Sequence, residues 1–416
     1  MEVARDEDAV IERVAALDIG KAELVCCVRL PGPGKRRLQE VRTFSTMTRS
    51  LLVMADWLTE LGVKRVVMEA TSDYWKPPFY LLEGSFQTWL VNAKDVKHLP
   101  GRPKTDRLDA AWLCKVAERE MLRPSFVPPP PIRVVRDLTR YRVDLIVART
   151  AEKQRVEKLL EDALIKVSVV ASDIFGVSGR DMMAALIAGE RDPARLAALA
   201  RGSMRAKNAA LQEAFTGRFT EHHAFLLTKM LERIDRLTAD IDQVEARTQE
   251  QIAPFAAAVA RLDEIPGIGA VTAYAIIAEI GVDMTRFPTH LTSWARFAPG
   301  VKESAGRATG NGGTGHGNKY LARALGEAAV AASHTPTFLG ERYRRLARRR
   351  GRPRAVVAVG RSILVIIWHL LNDEDATFHD LGPDWYDTRM THDRRMRNHV
   401  RELHKLGYRV TLDATA

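Results

Sequence analysis

With 416 residues, 46% of them hydrophobic and 28% charged, the chain has an ordinary soluble composition and the length for two or three domains, which excludes global disorder. A formal net charge of +11 and an isoelectric point near 9.6 favour polyanionic partners, nucleic acid or an anionic membrane surface, and say nothing about fold. Three cysteines, Cys26, Cys27 and Cys114, make no disulfide framework and no CxxC knuckle, and the acidic start MEVARDEDAV lacks an apolar signal core, so the natural reading is a cytoplasmic protein.

Residues 1–12 read as a tail. The run RVAALD, Arg13 to Asp18, is apolar and ends in a carboxylate before Gly20, the pattern of a buried strand with an acid at its tip. Glu23 to Leu30 and Leu38 to Thr43 read as two more strands joined by the PGPGK turn. Thr48 looks like the N-cap of an amphipathic helix to about Leu61. Lys64 to Glu69 is another buried strand ending in an acid, followed by a helix from Tyr74 to Glu83 and a strand from Gln87 to Val91. A basic loop, NAKDVKHLPGRPK, then leads into a helix reaching about Glu120. This order is that of an α/β domain with a mixed sheet.

Within that last helix, KTDRLDA places Asp106 and Asp109 on one face. Lys104 and Arg107 could neutralise them, and so could a divalent cation, which prefers clustered carboxylate oxygens. A charged first turn, favoured by capping and the helix dipole, is the plainer reading. Acids at the ends of buried strands are costly unless they sit at a site. Asp18, Glu69, Asp106 and Asp109 together would repel one another unless a metal compensates, which is the arrangement two-metal phosphoryl transfer requires. The alternative is that Asp18 and Glu69 merely cap turns.

The segments LDIGK around Asp18, VMEAT around Glu69 and VNAKDVKHLPGRPKTDRLDAAWLCKVAERE resemble the DEDD transposases of the IS110 family. The resemblance implies an RNase H-like (RuvC-like) domain over residues 13–127, in which Asp18, Glu69, Asp106 and Asp109 bind Mg²⁺ or Mn²⁺ for DNA strand cleavage. It also implies a bacterial, nucleoid-associated protein.

Pro128 to Pro131 reads as a stiff boundary. Residues 128–251 then read as a linker and helical region, with one long helix from about Ile132 to Val170 and a second from about Met204 to Gln251. In the second, Leu227, Ile234, Leu237, Ile241 and Val244 recur at steps of three, four and seven. The stripe is ordinary packing or an antiparallel coiled coil, and the family resemblance favours the coiled coil. Ser178 to Arg201, between them, reads as helical with a turn at Asp192-Pro193 and carries no chemistry.

Residues 252–375 read as the family's mainly helical transposase domain. LDEIPGIGAVTAYAIIAEIG has the form of a helix-hairpin-helix, in which Gly267 and Gly269 let the backbone approach a phosphate; a plain turn between helices is the alternative. A glycine-rich segment follows, with Lys302, Arg307, His316 and Lys319 as candidate phosphate contacts, and RYRRLARRRGRPR adds Arg348, Arg349 and Arg350. These, with Lys104 and Arg107, are the expected nucleic-acid contacts. A lone serine is a poor nucleophile without an activating neighbour, but PGVKESAG and GNKYLARAL are similar to the family's serine segment, which assigns the nucleophile to Ser304. Ala355 to Leu371 reads as a buried helix, interrupted by Arg361 and His369 and too short to span a bilayer comfortably. Residues 376–416 read as a peripheral tail with a helix and a possible strand, YRVTL.

The expected function is that of a mobile element's recombinase, cutting and rejoining double-stranded donor and target DNA through a metal-binding four-acid site and a serine. The resemblance adds a structured guide RNA and a homo-oligomer, a dimer or tetramer, with no membrane partner. The alternatives are a metal-dependent endonuclease of the Holliday-junction resolvase type, with water as nucleophile, and a non-catalytic nucleic-acid-binding protein.

Overall fold

The computed structural model describes residues 11–33, 36–70, 72–92, 106–287, 291–300, 303–304, 307–308, 313–315, 317–388 and 392–412. The chain divides into two compact units, residues 1–127 and 128–416.

The first unit is built on a five-stranded mixed sheet in the order β3-β2-β1-β4-β5. Its strands are β1 (Val14–Ile19), β2 (Glu23–Pro31), β3 (Arg37–Ser45), β4 (Arg65–Glu69) and β5 (Gln87–Val91). β1, β2 and β3 are antiparallel neighbours, whereas β4 runs parallel to β1 and β5 parallel to β4. This arrangement fits an RNase H-like α/β domain.

Alternation assigns the two faces. Ala15, Leu17, Val66 and Met68 bury toward helices α1 (Thr48–Glu60) and α2 (Lys76–Leu82), meeting Met54, Leu58, Phe79 and Leu82. Val14, Ala16, Val25, Cys27 and Val67 bury on the opposite face, against Ala110, Leu113, Cys114 and Ala117 of α3 (Asp106–Glu118). Both faces of the middle strands are covered, which is why they read as continuous apolar runs. Thr48 proves to be the first helical residue rather than the cap: the Met47 carbonyl already accepts from Ser50 and Leu51, at 2.9 and 3.1 Å, so the helix starts one residue earlier.

In the second unit, α4 (Pro130–Asp162) takes Pro130 and Pro131 into its first turn, where their missing N–H groups cost nothing. The single long helix expected to Val170 ends at Asp162. Leu164 turns into the left-handed region (φ 61°), and the Ala163 carbonyl is taken by Arg218 N at 2.8 Å. Likewise the helix expected from Met204 is interrupted. After a short helix, Asn208–Ala214, the chain turns, and Thr220 with His223 forms a capping box that begins α8 (Glu221–Ile252).

α4 and α8 run antiparallel. Arg142 pairs with Glu245 at 2.8 Å, Arg149 donates to Thr238 at 3.2 Å, and Asp162 meets His223 at 3.1 Å, one partner number falling as the other rises. Beyond the pair's tip, α5 (Val177–Ile187), α6 (Pro193–Ala198) and α7 (Asn208–Ala214) pack Met182, Leu186, Leu196 and Leu211 onto Val156, Leu160 and Leu227. Asp192 and Pro193, read as a turn, are the N-cap and first residue of α6.

The remainder comprises α9 (Ala256–Asp263), α10 (Ala270–Ile280), α11 (Lys319–Ala332), α12 (Phe338–Arg350) and α13 (Arg352–Asn372). The basic run therefore bends at Gly351 (φ 83°) instead of lying along one helix. α13 is longer than expected and, by length and composition, could cross a bilayer; its Ala355, Val359, Ile363 and Ile367 are fully buried within the unit. YRVTL forms no strand, and two helices, Trp385–Thr388 and His392–Lys405, precede it among the described residues of the tail.

One buried acid joins three of these helices. Glu279 at the end of α10 is 1% exposed, and both its carboxylate oxygens accept from Arg140 of α4 at 2.8 Å. Arg136 donates to the Ala278 and Glu279 carbonyls, and Asn318 donates to Glu279 at 2.5 Å while its own oxygen caps α11. Burial disfavours the Arg140 charge, but Glu279 and the stacked Tyr320 outweigh it and hold the guanidinium pKa above its ordinary value. Removing the acid strands two cations: Glu279→Ala should destabilise the fold by about 3 kcal/mol, read by urea unfolding, whereas a change within experimental error would refute the joint.

Candidate active site

Asp18 and Glu69 lie one residue beyond Leu17 and Met68, the last paired residues of the parallel strands β1 and β4. Strand spacing puts their backbones about 4.8 Å apart. By alternation both side chains leave the sheet on the face of Ala16 and Val67, the face covered by α3. Both are half-buried.

The direction of α3 then decides where Asp109 falls. At its far end Glu118 is 6% exposed and is clamped between Arg29 of β2 at 2.5 Å and Arg37 of β3 at 2.8 Å. The Glu118 carbonyl accepts from Ile11 N at 3.1 Å, just before β1. Midway, the Cys114 thiol donates to the carbonyls of Val14 and Cys27, each at 3.5 Å. Burial pushes the Cys114 thiol pKa up, while the hydrogen bond with Cys114 lowers that of Cys27. α3 thus runs antiparallel to β1, with its C-terminus over the strand's start. The nine residues back to Asp109, at about 1.5 Å each, and the four from Val14 to Asp18, at about 3.3 Å each, both span roughly 13 Å. Asp109 therefore arrives at the level of Asp18 on the same face, and it too is half-buried.

Asp106 is the first residue of α3, one turn before Asp109; its side chain, that of Arg107, and Lys104 altogether lie outside the described residues. Among the described residues no group of three His, Cys, Asp or Glu side chains is disposed to hold a metal ion. The acids at this end of the sheet, Asp18, Glu69 and Asp109, offer carboxylate oxygens, the donor type that suits a hard cation such as Mg²⁺ or Mn²⁺.

In the second unit, Ser304 lies in a two-residue strand, β6 (Glu303–Ser304), paired antiparallel with β7 (Arg307–Ala308), and Arg307 is its register partner. The side chains of Ser304 and Arg307, and the residues Lys302 and His316, lie outside the described residues. Residues 270–280 follow the PGIG turn as α10. Gly267 has φ 92°, and a Cβ there would come within 2.2 Å of the Ala328 carbonyl, so this glycine is required by packing against α11. Gly269 is the exposed N-cap of α10. Lys319 opens α11, and Arg348, Arg349 and Arg350 are exposed at the end of α12.

Residues 15–165 match the IS110 DEDD model, described as a transposase, and residues 259–344 match the model described as the transposase IS116/IS110/IS902 family. The chain belongs to the IS110 family of transposases. Together the two matches cover more than half of it, and membership makes this protein a DNA transposase or recombinase. No curated protein matches the chain.

Two residues of this transposase were not singled out by the sequence reading. Glu118 and Glu279 resemble any charged helix end in sequence, and their burial depends on arginines about 80 to 140 residues away, as the Arg29–Glu118 and Arg140–Glu279 pairs show. Asn318, directly before an apolar helix, carries a readable N-cap signal.

Asp18→Asn should lose the stabilisation that Mn²⁺ gives wild type, by calorimetry; an equal Mn²⁺ shift in both would contradict the site. Glu118→Gln, about 13 Å from the acids by the same rise along α3, should lower cleavage at least tenfold while Mn²⁺ binding weakens, measured on the same preparation; unchanged cleavage would show that the clamp does not position α3.

Proposed function

We propose that this transposase cuts and rejoins DNA by combining the carboxylate end of its RNase H-like domain with Ser304. What supports the proposal is the adjacent strand-end register of Asp18 and Glu69, together with the antiparallel run of α3 over the same face, which by its rise would bring Asp109 to their level. With Asp106 they would hold Mg²⁺ or Mn²⁺, and a cation so held supplies Lewis-acid stabilisation of charge on a phosphoryl oxygen.

Ser304 would attack the scissile phosphorus. Its Oγ–P bond forms as the P–O bond to the departing sugar oxygen breaks, and the serine proton leaves with that oxygen. A sugar hydroxyl of the incoming strand then reverses the exchange, so the phosphodiester is conserved and no ATP is needed. Arg307, the register partner of Ser304, would place positive charge where the phosphoryl oxygens gather negative charge.

Around this chemistry, the amides at the start of α10, beside Gly269, and the exposed Arg348, Arg349 and Arg350 would hold phosphates without reading sequence. Sequence choice would fall to a structured guide RNA from the element, paired with donor and target DNA. The α4/α8 helix pair would act as a coiled coil between subunits of an oligomer, in which acids and serine from different protomers meet. The cytoplasmic nucleoid is the matching location.

The test supplies purified protein with the flanking non-coding RNA, Mg²⁺ and a donor–target DNA pair, and resolves products under denaturing conditions. Wild type should give a covalent protein–DNA species and joined strands; Ser304→Ala should lose both, by at least a hundredfold. Persistence of the adduct in Ser304→Ala contradicts the serine assignment. Cleavage without any adduct in wild type would instead favour the resolvase-type reading.

A further inference from the structure

A cleft of about 580 Å³ lies in the second unit between α12, α13 and residues 376–381, which return across both helices. The returning strap, read from sequence as peripheral, is tied down. Arg261 donates to the Ala376 carbonyl at 2.9 Å, Phe378 N donates to Glu264 at 3.3 Å, and Asp380 accepts from Phe338 N at 3.0 Å and from Gly382 N at 3.1 Å. Further along, Trp385 and Tyr386 pack on Phe338, with ring centroids 5.0 and 5.4 Å away. The cleft is therefore held open by its own walls, within the volume range of about 300–1,000 Å³ usual for ligand sites.

Its lining is divided. Val365 and Leu381 are apolar yet 41% and 54% exposed, and with Phe378 they form a hydrophobic side. Arg342, Arg361, His369 and His379 line the same space, where the only carboxylate among the described lining residues is Asp380, already occupied as a cap. Arg342 is oriented by donation from Nη1 to the Tyr386 hydroxyl at 3.0 Å. Its Nε is buried and has no hydrogen-bond partner among the described residues. The guanidinium of Arg342 nevertheless lines the cleft, where an anion would meet its charge and a purely apolar occupant would not. Neither Arg342 nor Arg361 has an ion-pair partner among the described residues.

We infer that this cleft binds a nucleoside phosphate unit, the base against Phe378 and its apolar neighbours and the phosphate on Arg342 and Arg361. An aromatic and aliphatic wall beside arginines is the combination that holds unpaired bases and their backbone. Bases within a duplex have both faces covered by stacking, so a unit whose base lies against Phe378 is unpaired, either a splayed nucleotide of a single strand or a free nucleotide. The cleft shares no residue with the acids of the first unit or with Ser304, and its occupancy does not depend on the cleavage mechanism.

Full-length protein is titrated calorimetrically with adenosine and uridine monophosphates in one arm and with five-nucleotide single strands of RNA and DNA in the other. Hydrogen exchange is followed over residues 376–381. Bound ligand should slow exchange in the strap, and Arg361→Gln and Phe378→Ala, both changes at the cleft surface, should each raise Kd at least tenfold with the unfolding temperature unchanged. Arg49→Gln, an exposed change on α1, should retain binding within about threefold, since that residue belongs neither to the cleft nor to the sites proposed for cleavage and phosphate binding. Saturation by mononucleotides assigns a free nucleotide; saturation by strands alone assigns a splayed strand nucleotide. Absence of binding in both arms, or binding that leaves the strap unprotected and changes less than twofold in both cleft variants, overturns the inference.

Discussion

The geometry of the carboxylate end depends on an ion-pair clamp at the opposite end of α3. Glu118 is buried between Arg29 and Arg37, on strands that are neighbours in the sheet. Such a clamp adds little net stability, because removing three charges from water offsets most of their attraction. What it supplies is selection. A slip of α3 by one turn would leave Glu118 buried without its arginines, at several kcal/mol, and would move Asp109 away from the level of Asp18 by about 5.4 Å. The small residues Ala110, Cys114 and Ala117 permit the close approach, and the Cys114 thiol adds two weak contacts along the way.

The second unit repeats the device with Glu279, held by Arg140 and Arg136 and by Asn318. Here the consequence is for the loop between α10 and α11. Asn318 is both a ligand of the buried acid and the N-cap of α11, so the point at which the glycine-rich segment rejoins the fold is fixed however the intervening residues lie. That segment contains Ser304, whose short pairing with Arg307 gives part of it regular structure. Each unit thus fixes the position of a candidate functional segment through a buried acid held by two arginines.

How much of this was legible in the sequence follows from the range of the interactions. The strands of the first unit and the acids at their tips were readable, because burial on both faces produces apolar runs and a terminal carboxylate interrupts them visibly. The parallel pairing of β1 with β4, which makes neighbours of Asp18 and Glu69, is visible only in the sheet itself, because their pairing joins segments about fifty residues apart. Helix ends were read less well. Apolar periodicity continues through Ala163 to Val170, and only the contact of Arg218 with the Ala163 carbonyl, made across a turn distant in sequence, shows why α4 stops. Gly267 shows the converse: its glycine was noticed, but its packing against the Ala328 carbonyl is not visible until α11 is in place. The strap over α12 and α13 was missed because its ties, from Arg261, Glu264 and Asp380, each look like a solitary surface charge.

The central claim is that α3 brings Asp109 to the strand-end acids to make one cation site. Anomalous diffraction from crystals grown with Mn²⁺ tests it most directly. The account predicts a peak at the C-terminal ends of β1 and β4, on the face covered by α3, bonded to oxygens of Asp18 and Glu69 and to at least one of Asp106 and Asp109. A Mn²⁺ peak elsewhere on the protein, with this end of the sheet empty at saturating metal, would contradict it.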